Sequence, residues 1–146
     1  MNDSEAIRER LEAIRHFMTH EVPFNRFLEI QITQLEQGEA SMSIPYKEHL
    51  LGDSSRPALH GGVISSLIDV VGGTALLTTV DKGDRLSTLD LRVDYLRPAG
   101  KAELTAKASV LRVGKRAGVV QIRVTSGDDK VHVAEGTGVY QIKRAD

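Results

Sequence analysis

Residues 4–20 place Ile7, Leu11, Ile14 and Met18 at three- and four-residue intervals, with Arg8, Glu9, Arg10 and Glu12 between them. That spacing predicts an amphipathic helix with a narrow apolar stripe, suited to covering an edge or open end of a core and stopped by Pro23. The period then changes to two. Leu28, Ile30 and Ile32 alternate with Glu29, Gln31 and Thr33, and Ala40, Met42, Ile44 and Tyr46 alternate again after Gln37-Gly38. These two runs predict a hairpin. Residues 47–59, with Gly52, Asp53, Ser54, Ser55, Arg56 and Pro57, read as a loop.

Four more alternating runs follow residue 84. They are Leu89, Leu91, Val93 and Tyr95; Leu104, Ala106, Ala108 and Val110; Val120, Ile122 and Val124; and Ala134, Gly136, Gly138, Tyr140 and Ile142. Short turns between strands predict an antiparallel sheet of about six strands. The small residues at 134, 136 and 138 share one face, where something bulky is expected to pack closely.

Between the hairpin and the later strands, residues 60–80 contain one charged residue, Asp69. A strand that long would be unusual, so the stretch predicts a helix, apolar nearly all round and therefore buried. Residues 63–80 reach the lower edge of a membrane span, but the carboxylate, the glycine pair and the flanking amphipathic strands oppose that reading. The predicted fold class is α+β: one long helix wrapped by a curved antiparallel sheet, with the N-terminal helix added.

Asp69 is the anomaly of that helix. A buried carboxylate is costly unless it is paired or reaches a polar pocket. It is either a structural residue bonded to a neighbouring strand, to Arg92 or to Arg97, or a general base or nucleophile in an apolar cleft. His60-Gly61-Gly62 opens the helix, where unpaired amides and the positive dipole end suit a developing oxyanion. Plain loop-to-helix punctuation is the alternative. Asp69 lies eight residues past Gly61, about 12 Å along a helix, so one chain can hardly bring both to one carbonyl. A site shared across a two-fold axis is the economical arrangement.

Composition narrows the choices. The chain has 146 residues and a net charge of −1, which fits a single domain over 1–146 and argues against broad nucleic-acid binding. There is no cysteine, so disulfides, thiolate metal sites and a cysteine nucleophile are excluded. His16 and His20 are spaced i, i+4 but lack the glutamate and third ligand of a zinc site, so no metal is expected. The acidic N-terminus does not read as a signal peptide, which makes the cytoplasm the expected location, without membrane association.

His60-Gly61-Gly62 followed by Asp69, together with Asp90-Leu91-Arg92-Val93-Asp94-Tyr95-Leu96-Arg97-Pro98-Ala99, resembles the hot-dog thioesterases, specifically the PaaI-like branch of the phenylacetate pathway. The resemblance covers residues 25 to 143. It implies a hot-dog fold and hydrolysis of an acyl-CoA thioester at the interface of a homodimer or homotetramer, with no cofactor beyond the CoA of the substrate. It further implies that the Gly61 amide polarises the carbonyl with His60 beside it, while Asp69 of the other subunit activates water or attacks. Thr88 falls where some relatives place a water-positioning hydroxyl, although a strand-start threonine is the plain alternative. Gly62, Ser54, Leu67 and Ile68 are the expected substrate contacts. Ser54 stands where several relatives carry asparagine, a departure that bears on the leaving group and the substrate class. Arg56, Arg97, Lys115 and Arg116 are candidates for the CoA phosphates. The competing readings are a hot-dog dehydratase or hydratase and a non-catalytic acyl-CoA-binding module. Thiol release from acyl-CoA separates them.

Overall fold

The computed structural model describes residues 2–146. The chain opens with α1 (Asp3–His16), begun by a reciprocal cap: the Glu5 amide donates to the Asn2 side chain, and the Asn2 amide donates to the Glu5 carboxylate. The helix does not simply stop at Pro23. It widens into a π-helical turn at Phe17–Glu21, and Pro23 instead begins α2 (Pro23–Phe27), where a first-turn proline has no amide to lose. The buried side chain of Asn25 donates to the Met18 carbonyl at 2.9 Å and ties α2 to this turn.

Strands β1 (Gln31–Glu36) and β2 (Glu39–Ile44) form the expected hairpin around Gly38. Leu28 and Ile30 are buried but precede β1, because Leu28 closes α2 and Glu29 takes a left-handed φ of 55°. Residues 47–59 hold more order than a loop. A 3₁₀ turn (Glu48–Leu50) leads into a small hairpin of β3 (Leu51–Asp53) and β4 (Arg56–Leu59).

Helix α3 spans Gly61–Leu77. After it come β5 (Arg85–Tyr95), β6 (Leu104–Val113), β7 (Ala117–Ser126) and β8 (Val131–Lys143). The six-stranded sheet runs β1-β2-β6-β7-β8-β5, antiparallel throughout, so β5 pairs with β8 at an edge rather than with its successor β6. The sheet presents Met42, Leu104, Ala106, Val120, Ile122 and Val124 to the helix, whose Leu67, Ile68, Val71 and Leu76 are fully buried against it. Alternate residues such as Lys107, Gln121 and Arg123 stay exposed on the other face, as period two requires.

The small residues of β8 do admit a bulky neighbour. A Cβ on Gly136 would stand 2.6 Å from Ile68 Cγ2, and one on Gly72 of the helix would collide with the Tyr140 hydroxyl. At its far end α3 is moored to the first hairpin, where the Gly38 amide donates to Thr78 Oγ1 at 2.8 Å.

Candidate active site

Asp69 sits on the flank of α3 that turns away from the sheet centre, and it is half-buried. Thr88 Oγ1 donates to its Oδ1 at 2.8 Å. Strand parity alone would not put Thr88 there. Thr88 pairs with Tyr140 and Asp90 with Val139, leaving Leu89 as an extra residue that bulges from β5. Cross-strand partners share a face, so Thr88 joins Tyr140 on the helix side. Leu89 is turned outward, 59% exposed, and leaves the face it was expected to share with Leu91 and Val93.

Tyr140 completes the support. Its hydroxyl donates to the Asp69 main-chain carbonyl at 2.9 Å. Burial, followed by the charge of Asp69, pushes this phenol well above its ordinary range, so it remains a protonated donor. Arg92 and Arg97 do not pair with Asp69: Arg92 reaches Asp94, and Arg97 donates to the His132 carbonyl. Among the described residues, Asp69 Oδ2 has no hydrogen-bond partner. Asp69 lines a cavity of about 420 Å³ whose wall is mostly apolar, from Phe17, Met18, Val70, Gly73, Leu77 and Leu86, with Asp84, Arg85 and Ser87 also on it and Thr88 and Tyr140 beside the carboxylate.

At the start of α3, His60 is the N-cap, and its Nδ1 accepts from the Gly62 amide at 2.7 Å. The neutral ring therefore carries its proton on Nε2, pointing outward as a donor. The Val63 amide is taken by the His60 carbonyl. Among the described residues the Gly61 amide has no partner. Tyr95 lies over Gly61, donating to its carbonyl at 3.2 Å, and a Cβ on Gly61 would come 3.3 Å from the Tyr95 ring.

These two groups of residues are apart within one chain. His60 and Gly62 line a cleft of about 400 Å³ with Phe24, Phe27 and His49, and Gly61 lines another of about 330 Å³ with Tyr95 and Arg97. Neither contains Asp69 or Thr88. The other expected contacts fall elsewhere. Ser54 is exposed in the tight turn between β3 and β4, beside Asp53, whose carboxylate accepts from the Ser55 amide and hydroxyl. Leu67 and Ile68 are fully buried and do not line the cavity beside Asp69; Val70, Gly73 and Leu77 line it instead. Tyr95, Tyr140 and the Phe17–Met18 wall were not anticipated from the sequence. Tyr140 had a signal, as the one bulky residue two positions beyond the small-residue stripe of β8. Among the described residues, no His, Asp and Glu cluster is arranged to hold a metal ion, and no helix is long and apolar enough to cross a membrane.

Comparison with known proteins shows the family and the fold. The family model of the thioesterase superfamily matches residues 57–133, the segment from β4 through α3 and β5 into β8. The chain is 29% identical over 145 residues to the medium/long-chain acyl-CoA thioesterase YigI of Salmonella typhimurium, covering 90% of this chain and 93% of that one. A solved structure from Shewanella oneidensis, related to the thioesterase superfamily, superposes with a TM-score of 0.81 at 31% identity, over 93% of this chain and 97% of that one. The Escherichia coli PaaI protein of the phenylacetic acid degradation operon shares the fold, with a TM-score of 0.81 at 24% identity over 92% of this chain and 94% of that one. With its helix wrapped by a six-stranded antiparallel sheet, and its match over more than half its length, the chain belongs to the thioesterase superfamily, an enzyme family of thioester hydrolases on the hot-dog fold.

Proposed function

We propose that the protein hydrolyses acyl-CoA thioesters to the free acid and CoA, at a site completed by two copies of the chain. Asp69 of one copy serves as general base, and the Gly61 amide of the other polarises the thioester carbonyl. The observation that carries this reading is the pairing of Asp69 with Thr88 in a mostly apolar cavity that no helix start lines. The unpaired Gly61 amide opens elsewhere in the same chain. Eight residues of helix, about 12 Å, hold the two apart.

The chemistry follows from the two environments. Thr88 fixes one carboxylate oxygen, and the other takes a proton from water as that water attacks the carbonyl carbon. Negative charge moves onto the carbonyl oxygen, where the Gly61 N–H and the positive end of α3 stabilise it. Collapse breaks the carbon–sulfur bond, and the proton held by Asp69 goes to the departing thiolate. His60 supports this end of the helix as its cap, its Nδ1 accepting from the Gly62 amide.

Three features support the shared site and the substrate. β5 is a long edge strand of 11 residues, and Leu89, Tyr95 and Leu96 on and just beyond it are exposed, a surface that monomeric proteins usually blunt. Pairing two such edges across a two-fold axis would carry each helix start toward the other chain's Asp69. The wall of Phe17, Met18, Val70, Leu77 and Leu86 suits an aliphatic acyl group, in keeping with the medium/long-chain substrates in the name of the YigI relatives. Arg97 lines the cleft beside Gly61, which supports it as the contact for a CoA phosphate.

Thiol release from a panel of aliphatic and aromatic acyl-CoAs tests the activity. Asp69→Asn is expected to lower turnover by roughly 10²–10⁴, the scale for losing a positioned acid–base group, with the fold retained. Full activity in the variant would reduce Asp69 to a structural residue.

A further inference from the structure

The flank of α3 that carries Asp69 continues with Gly73 one turn later and Leu77 a turn beyond that, all three on the same cavity. At 1.5 Å per residue these positions lie about 6 and 12 Å from Asp69 along the helix. An acyl chain with its thioester at Asp69 would run past Gly73 toward Leu77, between the helix, Leu86 of β5 and the Phe17–Met18 wall.

Glycine inside a helix is less stable than alanine, so each interior glycine calls for a reason. Gly72 has one in packing, since a Cβ there would strike the Tyr140 hydroxyl. Gly73 has none: the nearest atom to a Cβ would be Tyr140 Cε1, at an ordinary contact of 3.5 Å. Its φ is not in the left-handed region, so the backbone does not demand glycine either. What the absent side chain leaves open is the cavity.

Resting on the acyl-CoA reading above, we infer that Gly73 determines the acyl-chain length the site accepts, by keeping open the passage from Asp69 to Leu77. Any side chain at 73 occupies the path of the acyl methylenes beyond the reacting carbonyl. Leu77 is the lining residue of α3 farthest along the helix from Asp69, and Phe17 and Met18, positioned by the π-helical turn that Asn25 holds, line the cavity as well.

The test measures kcat/KM across saturated acyl-CoAs from butanoyl to hexadecanoyl, for the wild type, Gly73→Ala, Gly73→Leu and Leu77→Ala. Gly73→Leu should lose activity progressively with chain length, about fourfold for each methylene that no longer seats, moving the optimum to shorter chains. Gly73→Ala should move it the same way by less, while raising Tm, since alanine stabilises a helix position that has room for it. A purely structural glycine would not give that combination. Leu77→Ala, which opens the far end, should move the optimum to longer chains. Equal loss at every length, or an unchanged profile, in the Gly73 variants overturns the inference. If Gly73→Leu fails to fold, Gly73→Ala and Leu77→Ala decide the matter by the same criterion.

Calorimetry with non-hydrolysable thioether analogues of the same chains separates the cavity from the chemistry. A length-dependent Kd that shifts in the variants, with no thiol release by the wild type, would remove the hydrolase reading and leave Gly73 its role. Intact hydrolysis with no shift in Kd or in the kcat/KM profile would do the reverse.

Discussion

At 2.8 Å, the Thr88 hydroxyl holds one oxygen of Asp69 and so sets the direction of the other. A hydrogen bond to a charged group is worth about 1.5–3 kcal/mol, so Thr88→Val should lower kcat roughly 10- to 100-fold, with KM little changed. Thr88→Ser, which keeps the donor, should recover most of it. Steady-state kinetics of the two variants against one substrate checks this, and wild-type kcat in Thr88→Val would show that the carboxylate needs no such guide. Asp69, His60 and Gly61 stand out in the sequence as candidates because a lone charge and a glycine pair are conspicuous in an apolar helix. The supporting residues were not. A single bulged residue, Leu89, reverses the strand parity from which the side of Thr88 would be inferred. Nearness in sequence to Asp69 points to Leu67 and Ile68, whereas helix phase matters more: at about 100° per residue Leu67 falls opposite Asp69, and Gly73 and Leu77 fall nearer to it.

Among the elements, long runs with a clear period were the legible ones. Alternation identified β2, β6, β7 and β8, and length plus apolarity identified α3. Short runs misled, since the three alternating residues Leu28, Ile30 and Ile32 span the end of α2, a left-handed Glu29 and the start of β1. β3 and β4, only three and four residues long, were hidden by the turn-forming residues between them. The edge position of β5 is set by pairing with β8, and a clamp just before its first residue strengthens that pairing. The Ala145 amide donates to Asp84, and Arg144 bonds the same carboxylate at 2.9 Å. The Ala145 amide first, then Arg144, hold the Asp84 carboxyl below its ordinary value of 3.8 against the opposing effect of burial. With the folded value below the unfolded one, this stabilisation is fully present above about pH 4 and is lost as pH falls through the folded value. Asp84→Asn should therefore lower Tm at pH 7, and its difference from the wild type should shrink toward pH 3. Calorimetry at the two pH values checks this; an equal difference at both would contradict the role of the charge.

For the whole molecule, the central claim is that neither chain alone contains a complete site. The claim is tested most directly with two defective chains, Asp69→Ala and Gly61→Pro. Proline suits the first position of α3, because it removes only the unpaired Gly61 amide and His60 already has the extended conformation that a following proline requires, with φ −59° and ψ 135°. The Tyr95 ring, 3.3 Å from a Cβ at that position, must give by a few tenths of an ångström, and circular dichroism of each variant confirms that it folds. The two chains are co-expressed with different tags, and the mixed dimer is purified through both. Each parent homodimer is expected to be nearly inactive, because both of its sites lack one component. In the mixed dimer one site carries both defects and the other none, so it should recover about half of the wild-type specific activity. Thiol release from acyl-CoA by the purified mixed dimer is the measurement. If it remains as inactive as its parents, each site belongs to a single chain and the shared site is wrong.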